Sequence, residues 1–125
     1  MLFRSPFAVA LLINVLVFLL YPAFGVLAYG SLDDYFMSSV LTGAYGSDYN
    51  VHMYFVNSAY GYFLKLFYLL FPKVGWYFLF ELVGTFAAFT TFTYFIIRRL
   101  GCRFGVPVSL IMLAALAPDF YFQIS

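Results

Sequence analysis

Four long apolar runs divide the chain, at about 6–28, 53–71, 76–97 and 104–122. No side chain between Ser5 and Leu32 carries a charge. A helix needs roughly 20 apolar residues to cross the hydrocarbon core of a bilayer, so the pattern predicts an all-α, polytopic transmembrane protein of about four hydrophobic helices. Asn14 and Pro22 interrupt the first run, and both are tolerated in membrane helices when neighbouring groups satisfy the backbone. Residues 29–52 then break the apolar pattern with Asp33, Asp34, Asp48, Asn50 and His52, and contain neither lysine nor arginine. They read as an extracytoplasmic loop. Within it, Ser31 or Asp33 is placed to cap a short helix that begins near Asp34 and ends at Gly43. The turn formers from Gly43 to Asp48 predict a loop after that helix.

Only Pro72-Lys73-Val74-Gly75 separates the second run from the third, which opens on Trp76 and Tyr77, residues suited to a membrane interface. An antiparallel hairpin about that turn sets Lys65 opposite Glu81, Gly61 against Gly84 or Thr85, and Ser58 against Ala88. Membrane helix interfaces select small residues and paired charges, so a Lys65–Glu81 contact is expected. With Arg4 inside, this hairpin puts 29–52 outside, Lys73 inside and Arg98, Arg99 and Arg103 outside, against the usual cytoplasmic bias of basic residues. A competing arrangement lays 53–71 on the outer surface and returns every arginine to the cytoplasmic side. The hairpin is preferred because it pairs both intramembrane charges.

Composition sharpens the membrane reading. The chain is 66% hydrophobic, 25% aromatic and 9% charged, with a mean hydropathy of +0.98, whereas soluble domains carry about 25% charged residues. A net charge of +1 leaves no electrostatic footprint for nucleic acid. The single cysteine, Cys102, excludes an internal disulfide and a cysteine-based metal cluster. Arg4 ahead of an apolar run, with Val26-Leu27-Ala28 as a cleavage region, fits a signal peptide, but the run is too long and an uncleaved signal-anchor is expected. The run into Ala117–Ser125 has no polar tail, which suggests an N-terminal piece of a longer protein.

Asp33 and Asp34 carry the strongest chemical signal. Adjacent carboxylates beside a membrane span suit a general base or a divalent-cation ligand; the structural alternative is a helix cap and an acid favoured by the helix dipole. Asp48 and His52, four residues apart, share a helical face if the second helix starts early. They would then form an acid–imidazole pair able to meet a phosphate or relay a proton. Otherwise Asp48 caps that helix and His52 is a polar anchor. Lys65 and Glu81 read first as a structural pair, with Lys65 reaching a lipid phosphate as the functional version. The arginines at 98, 99 and 103 suit lipid headgroups. No Walker A sequence, dinucleotide glycine loop, His-Glu-x-x-His or Gly-x-Ser-x-Gly occurs, which leaves ATP-driven transport and hydrolase chemistry without support.

The order of these features resembles the N-terminal part of GT-C-type integral membrane glycosyltransferases. Asp33-Asp34-Tyr35-Phe36 stands where that superfamily has an acidic motif in its first extracytoplasmic loop. The stretch from Asn57 to Pro72, followed by Gly75-Trp76-Tyr77, is similar to bacterial multi-span proteins of this type. The paired prolines that often follow the acidic loop in protein mannosyltransferase-like members are missing. The resemblance implies an enzyme of the bacterial cytoplasmic membrane that moves a sugar from a polyprenyl-phosphate-linked donor to an acceptor on the extracytoplasmic face. It implies Asp33 or Asp34 as catalytic carboxylate, with Asp48, His52 and Lys65 toward the substrate and His52, Lys65 or a divalent cation assisting the leaving lipid phosphate. The alternatives are a non-catalytic transporter or polysaccharide-export component, whose acids bind a cation or relay protons, and a structural membrane protein.

Overall fold

A computed structural model describes residues 5–24, 28–29, 32–44, 46, 50–52, 57–121 and 123–124. Its elements are α1 (Pro6–Phe24), β1 (Ala28–Tyr29), α2 (Leu32–Leu41), α3 (Ser58–Leu70), α4 (Trp76–Tyr121) and β2 (Gln123–Ile124). The two short strands pair with each other. All other regular structure among the described residues is helical. The chain divides into two compact units, one of Met1–Ala28 with Leu82–Ile124, the other of Tyr29–Glu81.

The first unit packs α1 against α4. α4 is not a single rod, because Gly101 takes φ 73° and ψ 163° and breaks the helical path. A Cβ on Gly105 would lie 2.6 Å from the Ile97 Cα. So close an approach means the chain reverses at Gly101, and its arms within this unit, 82–100 and 102–121, run side by side. Two apolar clusters line the reversal: Phe89 with Leu113, Ala117 and Tyr21, then Ile97 with Val9 and Ala10. Aromatic edges add Phe18 on Phe86 and Phe7 on Tyr94, with centroids 5.8 and 6.1 Å apart. Asn14, fully buried, donates from Nδ2 to the Ala10 carbonyl at 2.9 Å and to Thr93 Oγ1 at 3.0 Å. The residue that interrupts the first apolar run therefore ties α1 to α4. Thr90 and Ser109 bury hydroxyls that have no hydrogen-bond partner among the described residues.

Two helices are long and apolar enough to cross a membrane, Pro6–Phe24 and Trp76–Pro118. Large apolar side chains such as Phe7, Leu16, Phe24 and Ile111 stand on the outside of this unit, a surface suited to lipid and poorly suited to water. The second apolar run departs from expectation. It gives a helix of 13 residues starting at Ser58, where Asn57 accepts from the Ala59 N–H at 2.9 Å and caps it. Residues 53–56 lie outside the described residues. The fourth run is not set off by a connecting loop either: Gly101 alone turns the chain, and the helix continues through Pro107 and Pro118.

The second unit joins α2, α3 and the opening of α4. α2 ends in a Schellman motif, in which Gly43 (φ 81°) donates to the Val40 carbonyl and Ala44 to that of Ser39. Its start is at Leu32, so Asp33 is a first-turn residue and not the cap; Ser31 lies outside the described residues. Met37 and Leu41 of α2 meet Leu64 and Tyr68 of α3 and Tyr77 of α4. Phe67 stands 5.0 Å from Trp76 and 5.2 Å from Phe80, centroid to centroid, and Phe63 stands 5.1 Å from Phe80. These ring pairs close the α3–α4 turn near the expected register.

Candidate functional site

The first turn of α2 presents both acids near a helix N-terminus, where the backbone dipole favours negative charge. Neighbours on a helix point about 100° apart, and here that angle separates their environments. Asp33 faces solvent and has no hydrogen-bond or ion-pair partner among the described residues. Asp34 is only 7% exposed, and its Oδ1 accepts from the Tyr77 hydroxyl at 3.2 Å. A buried carboxylate needs such a donor to offset its lost hydration.

Tyr77 is itself held in place. Its backbone N–H, one of the orphan donors in the first turn of α4, reaches the Tyr68 hydroxyl at 3.3 Å. Glu81 follows Tyr77 by one turn on the same helical face and is half-buried. It lies near enough to interact electrostatically with Asp34 and Tyr60. Tyr60, in the first turn of α3, also lies near Tyr68. The result is a cluster of two carboxylates, Asp34 and Glu81, among three tyrosines. Asp33 stands outside it, open to an incoming molecule.

The remaining expected site residues do not join this cluster. Asp48 lies outside the described residues. His52 is exposed on a non-helical segment, and its backbone N–H donates to Asn50 Oδ1 at 2.9 Å. Because α3 starts only at Ser58, His52 has no helical face to share with Asp48. Lys65 is half-buried, but no ion pair joins it to Glu81 among the described residues. The reason is geometric. Phe63, Leu64, Phe67 and Tyr68 form the row of α3 that meets α4, and Lys65 falls about 100° past Leu64. Gly61 likewise finds a different neighbour: a Cβ there would strike the Val51 carbonyl oxygen, while one on Gly84 would meet nothing. The described residues contain no group of three or more His, Cys, Asp or Glu able to hold a metal ion.

Tyr60, Tyr68 and Tyr77 are the residues that sequence reasoning missed. With 12 tyrosines in the chain, their number hides any single one. The available signal was Tyr77 four residues before Glu81, on the face that carries one of the two charges inside the second and third runs.

Comparison of the chain with known protein families, with curated proteins and with solved structures finds no match. The class is accordingly defined by fold and site together: an all-helical protein with two helices able to cross a membrane and a buried carboxylate–tyrosine cluster beside one exposed carboxylate.

Proposed function

We propose that the chain is an integral membrane glycosyltransferase, or part of one, that takes sugar from a polyprenyl-phosphate-linked donor on the extracytoplasmic face of a bacterial cytoplasmic membrane. The division of the acid pair carries this reading. Asp34 is buried and bonded to Tyr77, while Asp33 beside it is exposed, in the polar segment between two helices able to cross a bilayer. The GT-C resemblance supplies the chemistry. An acceptor hydroxyl oxygen attacks the anomeric carbon, the bond from that carbon to the phosphate oxygen breaks, and the electron pair leaves with the lipid phosphate. Asp33 takes the acceptor proton. Asp34, anchored by Tyr77, fixes the turn on which Asp33 sits and so acts as a positioning residue. Lys65 and His52, in the same unit, are candidates for offsetting charge on the leaving phosphate. α1 and the two arms of α4 are the membrane crossings.

Membranes bearing the complete polypeptide, incubated with labelled polyprenyl-phosphate sugars, are expected to discharge the donor, releasing polyprenyl phosphate and labelling an acceptor. Binding of the donor without discharge, across a panel of sugars, would favour a transport or export component and overturn the enzymatic reading.

A further inference from the structure

We infer that α3 is a lipid-facing helix of the outer leaflet that enters the bilayer without crossing it, so that the segment between α1 and α4 stays on one side of the membrane. This inference is independent of the proposed activity.

Length argues first. At 1.5 Å per residue, 13 residues reach about 20 Å, short of the roughly 30 Å hydrocarbon core. The surface of α3 argues second. Gly61, Leu64 and Tyr68 form its buried row. On the other side Tyr62, Leu66, Leu69 and Leu70, with Phe71 just beyond, are each between 57% and 62% exposed. A continuous apolar row at i, i+4, i+7 and i+8 spacing calls for an apolar neighbour. Lys65 borders the row, Lys73 follows it, and α3 itself carries no acid. Acyl chains beneath anionic headgroups meet both requirements, since lysine stems lie along apolar surface while their ammonium groups reach phosphate. Trp76 closes the segment, its indole N–H donating to the Phe71 carbonyl at 3.0 Å, and tryptophan favours the membrane–water interface.

Charge argues third. If α3 does not cross, the reversal at Gly101 lies on the same side as the chain before α1. Arg98, Arg99 and Arg103, all exposed around that reversal, then join Arg4 on the cytoplasmic side. A crossing α3 would leave those three outside, against the positive-inside bias. The arrangement set aside in favour of the Lys65–Glu81 pair regains its footing because that pair does not form.

Cys102, the chain's one cysteine and exposed at the reversal, is a built-in reporter. With a membrane-impermeant maleimide, Cys102 is expected to label in inverted vesicles and stay protected in intact cells. Lys73→Cys and Val74→Cys, each in a Cys102→Ser background, are expected to label in intact cells. The reverse pattern at these positions overturns the topology. For the lipid contact itself, Leu66→Trp in a Trp76→Phe background is reconstituted in vesicles of brominated phosphatidylcholine and phosphatidylglycerol. Quenching of its fluorescence relative to unbrominated vesicles supports lipid cover; unchanged fluorescence means that water or protein covers α3 and refutes it.

Discussion

Asp33→Asn is expected to lower sugar transfer by about 10²–10⁴-fold, the usual contribution of a positioned general base. Asparagine keeps the shape of the side chain but cannot accept the acceptor's proton. Stability should change by no more than about 1 kcal/mol, because Asp33 is exposed and loses only its favourable placement at the helix N-terminus. Asp34→Asn should show the opposite balance. It replaces the charged acceptor of the buried Tyr77 hydroxyl with a neutral amide oxygen, at a cost of about 1 kcal/mol in stability, and touches transfer only through the position of α2. Initial rates in membranes, normalised to folded protein, check the pair. An unchanged rate in Asp33→Asn removes the assignment of this residue as base.

The second large effect lies away from the chemistry, at the α4 reversal. Gly105→Ala is expected to destabilise the first unit by about 1–3 kcal/mol, as overpacking does in a closely fitted interior. The added carbon would stand 2.6 Å from the Ile97 Cα and 3.2 Å from the Ile96 carbonyl oxygen. Both are backbone atoms and cannot rotate away, so the arms must part. Gly84→Ala is the matched control. It sits on the same helix with nothing within 4 Å of the new carbon, and should stabilise by up to about 1 kcal/mol through helix propensity. Thermal unfolding in detergent micelles should thus lower the midpoint for Gly105→Ala and hold or raise it for Gly84→Ala. Equal shifts would mean that the arms do not pack at this glycine.

Features governed by local rules were legible in the chain. Gly43 ends α2 where its freedom at positive φ is needed, and the charge-free run became an apolar helix over Pro6–Phe24. Features that depend on which helical row faces inward were not. The α3–α4 turn has nearly the expected register, yet Lys65 lies beside the contacting row and misses Glu81. Aromatic packing of Phe63, Phe67, Trp76 and Phe80 chose that row, and rings this abundant carry little positional information. The same limit applied to the acid pair: the 100° separation of Asp33 and Asp34 was evident, but not which of them would meet Tyr77. The length of α3 was obscured because apolar character runs upstream of Asn57, while the Asn57 cap starts the helix at Ser58.

The central claim is that two neighbouring carboxylates hold different roles, Asp34 as an anchor tied to Tyr77 and Asp33 as a free base. A double-mutant cycle on thermal stability measures this division directly. Combining Asp34→Ala, which removes the oxygen that accepts from the Tyr77 hydroxyl, with Tyr77→Phe should reveal a coupling of about 0.5–3 kcal/mol, as expected of residues in contact. Combining Asp33→Ala with Tyr77→Phe should be additive within about 0.5 kcal/mol. Additivity for the Asp34 pair, or equal coupling for both acids, would contradict the division.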